Sequence, residues 1–443
     1  MKIVQRSLVV SLFLVIALSI VAVAQEYNYT LTPWQYGVVA WVQTPPENVQ
    51  DVIDRAGQAV EDVFSFWGQG IPTTSGDQQG LTPMSIDQWN LCGHNAFTAG
   101  FVPVPSPTSQ DVWAVPTLFW KGMQELPLIL IAFPSADDLH NLLEGGYIRA
   151  QFSMGNPFLT WAISGSDPSL ASLINRSSCI TFDYNDQHLS FTLHHEFSHF
   201  LMRFLYERAG ATEAFLPPLI DEGFAQYTAY GLSKNDDWRY SNLNWRIIAA
   251  AWAQSHGLSH VPFHMLYQVG PSLISFLVER DGIDGFIADL HDILDPSQGF
   301  LSSVSPSWRE WASAFPLTDA EEAYAIEQMQ FYLCEYVASP FMSKDTWRQV
   351  DRLRSLEAST DDIISFWQSL CQPVPRPSNS VLKDLQERIG DVIWLVRVSK
   401  NAKLAQELAD DERELETLNA DWSSYHALLV SMLRKIVAHY DDY

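Results

Sequence analysis

The sequence predicts an α+β fold, in which a small mixed sheet with helices is followed by a mostly α-helical C-terminal domain. Two short apolar runs, 126–133 and 178–184, are typical of buried strands. Residues 190–206 instead repeat their apolar side chains every three or four positions, which is the period of a helix. Beyond Phe315, charged and helix-forming residues dominate to the end of the chain. This order of elements divides the chain into four segments: 1–24, 25–125, 126–315 and 316–443.

Residues 1–24 have the three parts of a secretory signal peptide. Lys2 and Arg6 supply the positive charge, residues 7–21 form the apolar run, and 22–24 read Ala-Val-Ala, a small-x-small cleavage pattern. We expect cleavage, and the alternative is an uncleaved membrane anchor, because about 20 apolar residues can cross a bilayer. In either case the rest of the chain is exported, to a secreted or cell-envelope location.

Residues 25–125 are rich in proline, glycine and aromatic side chains, a composition that predicts strands and loops. One helix is expected over 46–66. In the next segment the strand 126–133 ends at Pro134, and Ser135 is a candidate cap for a helix that follows it. After the second strand, helices are expected over 190–206, from near Asp221, and over 238–254 and 265–279.

Residues 316–443 are expected to form a separate helical domain, with a proline-rich break at 373–377. Residues 379–443 are predicted to form long, paired helices. Four cysteines suit an oxidising compartment. Cys334 and Cys371 are the favoured disulfide pair because both lie in the helical region, and four buried thiols, including Cys92 and Cys179, are the alternative.

The chain is strongly acidic, with a formal net charge of −26. Such a surface repels phosphate backbones and anionic lipids. Nucleic acid is therefore excluded as a partner, and no membrane contact is expected beyond an uncleaved N-terminal anchor.

The segment "HHEFSHF" at 194–200 contains the pattern H-E-x-x-H on a predicted helix. Residues four apart lie on one helix face, so His195 and His199 can direct both imidazoles at one metal ion. Glu196 lies beside that point, where it can take a proton from a metal-bound water. Zn²⁺ is the expected ion, because imidazole suits it. The alternative is a helix whose histidines are satisfied within the core.

A third ligand is expected downstream, in "LIDEGFAQY" at 219–227. There is no H-E-x-x-H-x-x-G-x-x-H continuation, which excludes the metzincin class. Glu222 lies 23 residues after His199, which leaves room for one helix to end and a carboxylate to return on the next. The alternative for Glu222 is an acidic residue favoured in a first helical turn by the helix dipole.

Together, "HEFSH" and "LIDEGFAQY" resemble the gluzincin metallopeptidases, of the peptidase MA-like and aminopeptidase-N type. The resemblance implies a zincin-like catalytic core over 126–315, with 25–125 as part of the catalytic region. It also implies that Glu222 is the third zinc ligand. Segment "YQVG" at 267–270 resembles the Y-x-K-G helix of those enzymes, whose tyrosine stabilises the oxyanion, which makes Tyr267 the candidate. Val269 replaces the lysine, and a core aromatic is the alternative for Tyr267.

The resemblance implies a zinc-dependent peptidase acting on a peptide or protein substrate through attack of zinc-bound water assisted by Glu196. No G-x-M-E-N segment precedes the motif, so an endopeptidase is expected rather than an aminopeptidase. The strand 178–184 is a candidate edge strand for an extended peptide. The competing interpretations are an aminopeptidase and a non-catalytic exported binding protein on the same scaffold.

Overall fold

A computed structural model describes a large part of the chain, with gaps. The described residues are 29–74, 82–85, 101–105, 111–116, 118–121, 123–124, 128–135, 138, 150–154, 178–208, 217–233, 242–258, 261–262, 265–294, 299–338, 389–390, 393, 402–418 and 421–441. The chain divides into two compact units, the first of residues 1–61 and 69–192, the second of 62–68 and 193–443. The expected signal peptide, and therefore its cleavage, lies outside the described residues. The predicted boundaries at 125/126 and 315/316 stay predictions.

The first unit is built on a five-stranded mixed sheet of order β1-β2-β9-β11-β10. Its strands are β1 (Tyr29–Trp34), β2 (Gly37–Val42), β9 (Leu128–Phe133), β10 (Ala150–Met154) and β11 (Ser178–Asp183). β2, β9 and β11 run parallel, whereas β1 and β10 pair antiparallel to their neighbours. All six residues of β9 are buried, which agrees with its unbroken apolar sequence.

One expectation for this sheet is wrong. The strand 178–184 was expected at an edge, but β11 pairs with β9 on one side and with β10 on the other. Its backbone groups are therefore engaged in two ladders and cannot accept a peptide strand. The reason is β10, which pairs with the free side of β11. Its sequence has no strong apolar signal.

The other described strands of this unit form two three-stranded sheets, with orders β3-β7-β8 and β4-β6-β5. Their bounds are β3 (Thr73–Thr74), β4 (Thr82–Ser85), β5 (Phe101–Pro105), β6 (Asp111–Pro116), β7 (Leu118–Trp120) and β8 (Met123–Gln124). Helix α1 (Val49–Phe66) confirms the helix expected over 46–66, and the described residues from 73 to 124 lie in short strands and turns. Ser135 is a cap as predicted, since its Oγ accepts the N–H of Asp138 at 3.1 Å.

The described helices that follow are α2 (Leu189–Arg208), α3 (Pro218–Leu232), α4 (Asn242–Ser255), α5 (Leu266–Leu294), α6 (Phe300–Ser313) and α7 (Asp319–Ala338). α2 agrees closely with the predicted helix. α5 continues well past the predicted end at 279, and two helical segments meet within it at Gly282, whose φ is 73°. Glycine tolerates this left-handed conformation without the Cβ clash of other residues.

An aromatic cluster anchors α3 in the second unit. The Trp67 ring stacks on Phe224 with centroids 4.3 Å apart, and its Nε1 donates to Thr228 Oγ1 at 2.8 Å. Phe286 of α5 lies 5.5 Å from the same indole. These buried rings fix the helix that carries Glu222.

The described C-terminal helices are α8 (Ala402–Thr417) and α9 (Trp422–Asp441), which pack against each other. The expectation of paired helices is thus confirmed where the chain is described. Within that part of the chain, no helix is long and apolar enough to cross a membrane. Cys179 is buried in β11, and burial raises the pKa of its thiol to about 12. The side chains of Cys92, Cys334 and Cys371 lie outside the described residues, so the pairing stays a prediction.

Candidate metal centre

Helix α2 places His195 and His199 one turn apart with their rings facing one point. Their ring centroids are 4.8 Å apart, and their Nε2 atoms are separated by 3.1 Å. This is the arrangement that the spacing of four predicts. Both histidine side chains are largely shielded from solvent, with exposed fractions of 12% and 9%.

Helix α3 brings Glu222 to the same point. Pro218 is the first residue of this helix, where its missing N–H costs no helical hydrogen bond. Glu222 therefore lies one turn inside α3. Its Oε2 is 3.3 Å from Nε2 of His195 and 3.6 Å from Nε2 of His199.

Asp221 fixes the orientation of His199. Its Oδ1 lies 2.8 Å from Nδ1 of His199, so the ring donates its Nδ1 proton to the carboxylate. In the neutral ring this directs the lone pair of Nε2 at the point shared with His195 and Glu222. A carboxylate on the far nitrogen of a metal-binding imidazole is a recurrent feature of zinc sites.

The three converging side chains are arranged as ligands of one cation rather than as hydrogen-bond partners of one another. One ligand atom each from His195, His199 and Glu222 lies within 4.8 Å of the other two. Glu222 Oε2 is buried without a well-oriented hydrogen bond, and Nδ1 of His195 is buried without one as well. Imidazole nitrogens and a carboxylate oxygen are ligands that zinc takes at about 2.0–2.2 Å. Among the described residues, no second group of this kind is found.

The pKa values of His199 and Glu222 are shifted by the charges of their neighbours. Burial alone would lower the pKa of His199, but the carboxylates of Asp221 and Glu222 raise it well above its usual range. Burial alone would raise the pKa of Glu222, but the adjacent imidazoles of His195 and His199 lower it well below its usual range. The carboxylate of Glu222 is thus held ionised beside the imidazoles, as a metal ligand must be.

Glu196 and Tyr267 lie at the edge of the same group. Glu196 is 6% exposed. Burial raises the pKa of the Tyr267 phenol well above its usual range, and the nearby charges of Glu222 and Glu196 raise it further. The Tyr267 ring is 6.1 Å from the ring of His195. The structure therefore brings His195, His199 and Glu222 together with Tyr267 beside them, and the charge of Glu196 acts on the Tyr267 phenol.

Two other described histidines contact side chains outside this group. His194 turns away from it, and its Nε2 lies 3.3 Å from Oδ2 of Asp62. His256 follows α4, is buried and stacks on Trp252 with centroids 4.1 Å apart. The expectation that His194 has no place among the metal ligands agrees with this placement.

Sequence reasoning missed the role of Asp221. The signal was present, because Asp221 directly precedes the candidate ligand on a predicted first helical turn. Only the meeting of α2 and α3 shows that its carboxylate reaches Nδ1 of His199.

No protein-family model, curated protein or solved structure matches this chain. The resemblance of its motifs to the gluzincins therefore depends on the residues of those motifs alone.

Proposed function

We propose that the protein is an exported, zinc-dependent endopeptidase of the gluzincin type. The observation that carries the proposal is the convergence of His195, His199 and Glu222, with Glu196 and Tyr267 beside them. An isolated H-E-x-x-H pattern arises by chance, but a chance pattern has no reason to meet a largely shielded carboxylate from a second helix. The ordered motifs of the sequence and the expected signal peptide support the same assignment.

The donor set favours zinc in a catalytic rather than a purely structural site. Two histidines and one glutamate leave a fourth tetrahedral position open, whereas structural zinc sites are closed by four protein ligands. When bound, the ion would supply a Lewis acid that acidifies water and polarises a carbonyl group. Asp221 holds His199 in the tautomer that this requires.

Glu196 is the proposed general base. Glu196 directly follows His195 on α2, its side chain is buried, and its charge acts on the Tyr267 phenol. We expect its carboxylate to take a proton from the attacking water and to pass it to the leaving amine. Tyr267 is the proposed oxyanion donor, because burial keeps its phenol protonated and able to donate a hydrogen bond.

The substrate is proposed to be a peptide or protein with both termini distant from the site. The sequence lacks the G-x-M-E-N segment that holds a free amino terminus in the aminopeptidases, so internal peptide bonds are the expected target.

The decisive experiment compares Glu196→Gln with wild type for metal content and for cleavage of casein and of N-terminally blocked and free-amino peptides. The variant is expected to keep equimolar zinc and to lose hydrolysis. Glu310→Gln, the same change at an exposed position, is the control and is expected to behave as wild type. Glu222→Ala is expected to lose the zinc itself.

Three outcomes would contradict the proposal. Wild-type cleavage by Glu196→Gln would exclude the general-base role. Cleavage of free-amino peptides alone would favour an aminopeptidase. Equimolar zinc with no hydrolysis of any of these substrates would favour a binding protein.

A further inference from the structure

Two glycines bring helices α3 and α5 into backbone contact beside the candidate metal centre. A Cβ placed on Gly223 would lie 2.6 Å from the carbonyl carbon of Gly270 and 2.7 Å from its oxygen. A Cβ placed on Gly270 would lie 2.6 Å from Cα of Gly223 and 2.9 Å from the carbonyl oxygen of Leu219. Every obstructing atom belongs to a backbone, so no side-chain rotation can make room for a methyl group.

The contact lies next to two residues of the proposed site. Gly223 directly follows Glu222, and Gly270 lies one turn after Tyr267 on α5. Any substitution that separates the two helices must therefore change the distance between Glu222 and Tyr267. The histidines lie on α2, which does not take part in this contact.

The helix α5 is also weakened at this point. Pro271 follows Gly270 inside the helix and has no N–H to donate to the carbonyl of Tyr267, four residues earlier. The first turn, which carries Tyr267, is thus held by one fewer helical bond. Its position depends correspondingly more on the contact between Gly223 and Gly270.

We propose that Gly223 and Gly270 are positioning residues, whose backbone contact sets where Glu222 and Tyr267 stand relative to the two histidines. The inference rests on the proposed function. It adds that the site needs the close approach of α3 and α5 as well as the three ligands. A larger residue at either glycine would displace Glu222 from the metal position and Tyr267 from the substrate, while the helices themselves persist.

A third glycine provides the matched control. Gly231 lies on the same helix as Gly223, and a Cβ there would meet only the ring of Phe66, at 2.7 Å. The end of a side chain can move aside, so Gly231→Ala strains the packing of α3 without forcing α3 away from α5. It reports the effect of a methyl group on α3 at a position where the added atom meets a side chain and not the backbone of α5.

The test measures zinc affinity by competition with a chelator, the visible spectrum of the Co²⁺-substituted protein, and thermal unfolding. Gly270→Ala and Gly223→Ala are expected to lower zinc affinity about 10- to 100-fold, as losses of ligand positioning do. Their cobalt spectra are expected to differ from that of wild type. Gly231→Ala is expected to lower the unfolding temperature and to keep wild-type affinity and spectrum.

Wild-type zinc affinity and cobalt spectrum in both glycine-pair variants would overturn the inference. So would failure of both variants to fold while Gly231→Ala folds, because the contact would then serve the fold as a whole. Absence of peptidase activity in a zinc-loaded wild type would contradict the proposed function alone. A wild type that binds no zinc would overturn both.

Discussion

The Nδ1 atom of His199 lies 2.8 Å from Oδ1 of Asp221, the residue directly before Glu222. This pair joins α2 to α3 at the candidate metal centre. Because Asp221 and Glu222 are adjacent, one helical turn supplies both a candidate ligand and the group that orients another ligand. The side chain of Asp221 is 33% exposed, so this contact is partly accessible to solvent.

Removal of the Asp221 carboxylate is expected to weaken zinc binding. Asp221→Ala should lower zinc affinity about 10- to 100-fold, because His199 loses the acceptor that fixes its tautomer. Asp221→Asn keeps an acceptor oxygen without the charge, so an intermediate affinity is expected. Chelator competition measures both, with Asp54→Ala on an exposed face as the control. Equal affinities for Asp221→Ala and wild type would show that His199 needs no such partner.

Loss of the Tyr267 hydroxyl is expected to slow catalysis without loss of metal. In Tyr267→Phe the proposed oxyanion donor is absent, and the loss of one such donor costs about 10²–10³ in kcat. Steady-state hydrolysis of a blocked peptide measures this, together with zinc content. Tyr324→Phe removes a hydroxyl that bonds Asn244 Oδ1 at 3.2 Å and serves as the control. A Tyr267→Phe enzyme as fast as wild type would assign this tyrosine to packing alone.

The stabilisation that zinc gives is expected to increase with pH. Burial alone would lower the pKa of His199, but Asp221 and Glu222 raise it well above its usual range in the metal-free protein. The protonated ring then contributes stability below about pH 6.5, and this contribution is lost as the pH rises through the folded-state pKa. Zinc requires the neutral ring, so protons compete with it at low pH.

Thermal unfolding with and without zinc, between about pH 6 and pH 8, measures this dependence. The zinc-induced rise in Tm should be smallest at the acid end. Glu222→Ala should show little zinc-induced rise at any pH. A zinc effect that shrinks as the pH rises would contradict the competition between protons and metal.

The bond between Trp67 and Thr228 is expected to stabilise the unit that carries the site. Thr228→Val removes the acceptor of the indole N–H in a buried position. Loss of one partner of a buried hydrogen bond costs about 1–3 kcal/mol. Urea denaturation measures the free energy of unfolding, and the same change at exposed Thr417 should stay within about 0.5 kcal/mol. Equal losses in the free energy of unfolding for the two variants would show that the bond between Trp67 and Thr228 does not stabilise this unit.

Much of the local structure could be predicted from the sequence, because local patterns determine it. α2 and β9 lie where periodicity and apolar runs place them. The outer neighbour of β11 could not be predicted, since β10 has a weak local signal and is held by pairing with a strand distant in sequence. The predicted end of α5 at 279 is too early. Glycine normally indicates a helix end, but here Gly282 connects two helical segments.

The sequence by itself determined which residues could form a metal site, because a spacing of four on a helix directs His195 and His199 to one point. It also placed Glu222 on a following helix and Tyr267 on a later one. Only the tertiary structure decided that Glu222 reaches both imidazoles and that Asp221 orients one of them. The physical reason is the packing of separate helices, and between α3 and α5 that packing depends on the backbone contact of Gly223 with Gly270, two residues without side chains.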